Sequence, residues 1–287
     1  MSRVLLRKPP TADIHNNARL PLSRRFASSV TASGSASTAS PPPLAQPKSL
    51  LRRTATVFAL GVTFTSLGFA IMAAPALPAL NGLLAPPTDA ETLKLFTPTD
   101  PQEEEVEAFI TNSWLAKKMR SKPEFSESRP HLKMPAPFRT NSLTTGTLMG
   151  PNRVVVPPFV WAEEGGKSLV SISFLGSELC GYPGIVHGGI LATMLDEGLA
   201  KCCLAALPHN VGMTANLNIN YKAPAMAESY VVLRATTTKV DGRKAWVEGR
   251  IETLVPEGET PVVLADATAL FISPRQAAMM ANVYPTT

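Results

Sequence analysis

Cysteine is scarce in this chain, and so are the motifs that mark the commoner enzyme classes. Only Cys180, Cys202 and Cys203 occur. None sits in a CxxC pair or at metal-ligand spacing from a histidine, which excludes a disulfide framework and a zinc site. GxSxG, the phosphate-cradling P-loop and the GxGxxG dinucleotide fingerprint are all absent, so no nucleotide or other cofactor is expected. Acid is missing from the N-terminal region: residues 1–53 hold nine Lys/Arg against the single acid Asp13, while the remainder is slightly acidic. The overall charge of +5 therefore belongs to one end and gives no argument for nucleic acid. Charge of either sign is missing from residues 54–88.

Those two absences organise the first third of the chain. Residues 1–30, with Arg3, Arg7, Lys8, Arg19, Arg24 and Arg25 among Ser and Ala, have the composition of a mitochondrial transit peptide. "RRFASS" (24–29) resembles a presequence cleavage site. The alternative is a disordered basic tail. Residues 31–53 contain the stretch "TASGSASTASPPPLAQP", too poor in apolar side chains to order, and read as a linker. Residues 54–76, mostly apolar over 55–74, are long enough for a transmembrane helix, the alternative being a buried helix of a soluble domain. Arg52 and Arg53 precede the span and Asp89 and Glu91 follow it. The positive-inside bias then keeps the N-terminus in the matrix and puts the rest in the intermembrane space.

Residues 77–129 are expected to be a linker and connector. "TDPQEEEVEAFITNSWLAKKMRSKP" (99–123) carries a helix start at Thr99 or Asp100, Pro101 in the first turn and a basic end. Residues 123–150 read as irregular. Beyond them, "NRVVVPPFVWA", "KSLVSISFLG", "MTANLNINYKAP", "ESYVVLRATTTKVDGRKAWVEGRIETL" and "PVVLADATALFIS" are β-type runs, with Asp241-Gly242 as a hairpin turn. One long helix, about residues 188–207, stands among five or six strands. That pattern is α+β: an antiparallel sheet curled around a helix.

"GIVHGGILATMLDEG" (184–198) starts that helix. At 100° per residue, Gly189, Ala192, Ala200 and Cys203 fall on one small-residue stripe with Asp196 at its centre. Glu197 has Lys201 at i+4 and reads as a surface ion pair, whereas Asp196 has no base at i+3 or i+4. A carboxylate on an apolar helix needs a partner or a task, which makes Asp196 the functional candidate. Gly188 and Gly189 lie at a helix N-terminus, whose free N–H groups suit an oxyanion. Seven residues separate Gly189 from Asp196, about 10 Å along the axis. One carbonyl cannot be held by both within one chain, so a catalytic pair requires a second copy.

Both "GIVHGGILATMLDE" and "MTANLNINYKAP" resemble the hotdog-fold acyl-CoA thioesterases, in particular the mitochondrial branch of the thioesterase superfamily and its fungal membrane-anchored relatives. The likeness covers roughly residues 130–275, leaving 276–287 as a tail. It implies a hotdog domain, a homodimer or dimer of dimers with sites at the interface, an acyl-CoA substrate and an inner-membrane location. Asp196 would be general base or nucleophile, and Gly188 or Gly189 with His187 would polarise the thioester carbonyl. Thr214 would position the attacking water from the same subunit as Asp196. His187 could instead be a structural cap. Some branches carry Asn or Gln upstream of the histidine; here Cys180-Gly181-Tyr182-Pro183 stands there. An acyl-CoA hydratase on the same fold would want an Asp and His separated by a short loop, which is missing. A non-catalytic acyl-ligand binding or scaffold protein remains the alternative function.

Overall fold

The computed structural model describes residues 49–74 and 85–280. The transit-peptide and most of the linker expectations, residues 1–48, lie outside the described residues, as does the end of the tail. Helix α1, Leu50–Ala73, is 24 residues long with no buried residue. At 1.5 Å per residue it measures about 36 Å, enough to cross a bilayer core by length and composition. It starts four residues earlier than the sequence suggests, taking Arg52 and Arg53 into its first turn.

The expected single helix over 99–123 is two, α2 (Pro101–Asn112) and α3 (Trp114–Arg120). Asp100 caps α2 through the Glu103 N–H. Ser113 ends α2 and caps α3 through the Ala116 N–H, so a hydroxyl that competes with helical hydrogen bonding sets the break.

Seven antiparallel strands follow: β1 (Phe125–Ser128), β2 (Phe159–Glu163), β3 (Ser168–Leu175), β6 (Met213–Tyr221), β7 (Ser229–Asp241), β8 (Lys244–Thr253) and β9 (Val263–Ile272). A small ribbon, β4 (Cys180–Tyr182) with β5 (Ile185–Val186), precedes the central helix α4, Gly188–Cys203. The sheet order is β1-β2-β3-β7-β8-β9-β6, one or two strands more than expected. The difference is β1, which lies in the stretch read as irregular and pairs with β2 from Phe125↔Glu163 to Ser128↔Val160. Its sequence, FSES, is too short and too polar to announce a strand; the β2 edge recruits it. Pro157-Pro158 cannot donate to a ladder, so β2 begins only at Phe159. The Asp241-Gly242 signal holds: Asp241 pairs with Lys244, and Gly242 takes φ +58° in the turn.

Alternation along the strands sends one set of side chains to each face. On the concave face, Leu191, Leu195 and Leu199 of α4 pack against a core that includes Leu175, Leu233, Val247, Ile251 and Phe271. Burying each leucine contributes about 1.5–3 kcal/mol. On the convex face, Val106, Ile110, Leu115 and Met119 of α2 and α3 cover Trp161, Ile172 and Phe174. The connector helices are therefore a second layer of the domain. The central helix tightens into a 3₁₀ turn at Leu204–Ala206 instead of running to Leu207. Strand β6 closes one edge of the sheet, and its residues are exposed or only half-buried on both faces.

Candidate active site

The candidate residues fall into two groups, one at each end of a stretch of α4. At the helix start, His187 is the N-cap and its Nδ1 accepts the Gly189 N–H at 2.9 Å. The Gly189 donor is thus occupied, and of the two glycines only Gly188 presents a first-turn N–H that His187 does not take. An Nδ1 that accepts requires the proton on Nε2 in the neutral imidazole, so the exposed ring offers a second donor there. Gly181 makes this placement possible: a Cβ there would lie 2.9 Å from His187 Cδ2. The Tyr221 hydroxyl at the end of β6 donates to the Gly188 carbonyl at 2.9 Å. The roles of Gly181 and Tyr221 were not legible in the stretches that contain them, because each acts on a partner elsewhere in the fold.

Two turns further on, Asp196 is half-buried, and its Oδ1 accepts the Thr214 hydroxyl at 2.8 Å. Thr214 comes from the exposed edge strand β6 of the same chain. This bond orients one carboxylate oxygen and leaves the other open. About 10 Å of helix axis separates this group from Gly189.

Glu197 departs from the expected pairing with Lys201. Its Oε1 lies 3.2 Å from His131 Nε2 and 3.4 Å from the Thr144 hydroxyl. The i+4 rule describes an isolated helix, whereas here residues 130–145 cover that face and supply closer partners. Lys201 is largely buried beside them. Burial first, then the neighbouring Lys133 ammonium, pull it down to about 8 against the opposing pull of Asp89 and Glu197. Lys133 itself is bonded to Asp89 at 2.7 Å.

A cavity of about 400 Å³ runs along this face of α4, within the range of small-molecule sites. Ile190, Met194, Ala200 and Leu204 give it an apolar wall along the helix, and Asp196 and Glu197 stand on its lining. From Ile190 to Leu204 is about 21 Å of helix, which suits a chain-like ligand. Among the described residues there is no group of three or more His, Cys, Asp or Glu side chains placed to hold a metal ion. Cys202 and Cys203 are driven by burial to about 11 and about 12, which keeps them protonated and unreactive at neutral pH.

An antiparallel sheet curled around one long helix is the hotdog fold. Comparison with known sequences agrees. The thioesterase superfamily profile matches residues 183–258, which hold every candidate residue. An uncharacterized mitochondrial protein of Candida albicans is 33% identical over 176 residues, covering 58% of this chain and 79% of that protein. The acyl-coenzyme A thioesterase THEM4 of Mus musculus is 41% identical over 106 residues, 37% of this chain and 43% of THEM4. The mitochondrial membrane protein FMP10 of Saccharomyces cerevisiae is 34% identical over 130 residues, 45% of this chain and 52% of FMP10. This chain belongs to the thioesterase superfamily.

Proposed function

We propose that this protein hydrolyses fatty acyl-CoA thioesters to free acid and CoA, as a homodimer tethered to the mitochondrial inner membrane by α1. The observation that carries this reading is the Asp196 carboxylate, held by Thr214 at 2.8 Å and open to the cavity beside it. The acyl chain occupies that cavity. Asp196 delivers the attack, either by taking a proton from water held at the Thr214 hydroxyl or by adding to the carbonyl carbon itself. Either route makes a tetrahedral oxyanion, which needs preorganised donors. Gly188 N–H and His187 Nε2–H supply them. As the C–S bond breaks, the sulfur leaves with the electron pair; on the first route Asp196 returns the proton it took from water to that sulfur, giving CoA and free acid together. On the second route the thiolate takes a proton from solvent, and water then cleaves the Asp196–acyl anhydride, releasing the free acid and restoring the carboxylate.

Those donors come from the second copy. β6 leaves one edge of the sheet unpaired and its side chains exposed, with Met213 at 53% and Tyr221 at 54%. An exposed edge strand presents unpaired backbone N–H and C=O groups, a template for pairing. Two β6 strands related by a twofold axis would continue the sheet and set the two α4 helices antiparallel, carrying each Asp196 toward the partner's helix start. The soluble domain then faces the intermembrane space, with Arg52 and Arg53 on the matrix side.

The test is thiol release from a panel of acyl-CoAs by the full-length protein in detergent. Release that scales with enzyme supports hydrolysis. Binding of acyl-CoA without release would make this a non-catalytic acyl-ligand protein.

A further inference from the structure

The cavity exists because of what β3 lacks on its inner face. Its outward residues are Val170, Ile172 and Phe174, all packed against the connector layer. Its inward residues run Leu169, Ser171, Ser173, Leu175, so two small polar side chains replace the large apolar ones that would fill the space against α4. Both serines line the cavity, at 9% and 2% exposure. No described residue hydrogen-bonds either hydroxyl, although neither is sealed from the cavity space.

Buried hydroxyls in folded proteins are paired, because a donor taken from water without a partner is costly. An apolar acyl chain would leave both unpaired. Alanine at each position would keep the same space without that cost. Lys201 adds an ammonium to the same lining. Its carboxylate neighbours are engaged elsewhere: Asp89 by Lys133 at 2.7 Å and Glu197 by His131 at 3.2 Å.

Building on the acyl-CoA reading above, we propose that this cavity selects acyl chains carrying a hydrogen-bonding oxygen, read by the Ser171 and Ser173 hydroxyls. The oxygen can be a hydroxyl, an oxo group or a terminal carboxylate. A carboxylate would also draw on Lys201.

The experiment uses the full-length protein with dodecanoyl-CoA and its hydroxy-, oxo- and ω-carboxy-substituted counterparts, the substituents placed along the chain. Alongside kcat/KM, calorimetry measures binding of the corresponding free acids, a readout that needs no turnover. At least one oxygenated chain should be preferred over the plain chain by about tenfold or more, since a site built to hydrogen-bond a substituent rejects the analogue lacking it. In the folded double variant Ser171→Ala, Ser173→Ala that ratio should fall to near one. Lys201→Met should lower the ratio for the carboxylate arm alone if that arm is the preferred one. Equal or better handling of the plain chain by the wild type overturns the proposal, as does a preference that survives the double variant. If no acyl-CoA releases thiol, the hydrolase reading fails separately, and the free-acid affinities decide selectivity by the same ratios.

Discussion

Mixing two inactive variants tests the proposed two-chain site, which rests on the distance of about 10 Å between Gly189 and Asp196 along one helix. Asp196→Asn removes the carboxylate while keeping its volume. Gly189→Val attacks the other end: a Cβ there would already lie 2.9 Å from His187 Nδ1, so a branched side chain must push the ring off its cap and cover the approach to Gly188 N–H. Each homodimer then has two defective sites. In a random heterodimer both defects fall in one site, leaving the other intact. With a fraction f of one variant, the intact share of all sites is f(1 − f), which peaks at about a quarter for an equal mixture. Loss of a general base lowers the rate by about 10²–10⁴, so a quarter stands far above either parent. The assay is thiol release against mixing ratio, with subunit exchange followed independently through two affinity tags. Activity that stays at the parental level across the curve, with exchange demonstrated and both parents folded, would refute the two-chain site.

Three other outcomes can be checked directly. Glu252 is 3% exposed in its side chain and accepts from Arg234 at 2.6 Å and Arg250 at 2.7 Å. Burial alone would raise its pKa, but the two hydrogen bonds outweigh it and hold the carboxyl below the ordinary 4.5. Its stabilisation is therefore complete above pH 4.5 and lost as the pH falls through the folded value. Glu252→Gln should cost about 1–2 kcal/mol at pH 7, given the partly exposed arginines, and the gap to wild type should shrink in acid denaturation series toward pH 3. Iodoacetamide at pH 8 should label no more than one thiol per native chain, that of Cys180, and three after denaturation, since Cys202 and Cys203 sit near 11 and 12; mass spectrometry reads the count. The mature protein should resist carbonate extraction from mitochondrial membranes through α1, and recovery in the soluble fraction would remove the anchor from the account.

What could be read from the chain was whatever is local. The start of the central helix, the Asp100 cap and the turn at Gly242 depend on residues within a few positions of one another, and all three stand in the structure. Partnerships across the fold were not legible. Glu197 was matched with Lys201 because four residues separate them, yet its partner is His131, 66 residues upstream. The occupied Gly189 N–H was missed for a related reason: a run of His-Gly-Gly does not say that the imidazole folds back on its own helix. β1 has no strand pattern and exists because β2 offers an edge. Ser171 and Ser173 look unremarkable in "KSLVSISFLG", and only the sheet shows that both point at α4 across a cavity.

Everything in the proposed reaction depends on the Asp196 carboxylate. The most direct measurement of that dependence is kcat for Asp196→Asn against wild type on the best acyl-CoA of the panel, with both proteins full-length and matched in melting temperature. The expected loss is at least about a hundredfold, since the amide keeps the shape and the Thr214 contact but can neither take a proton nor form the bond. A rate within a few-fold of wild type would contradict it.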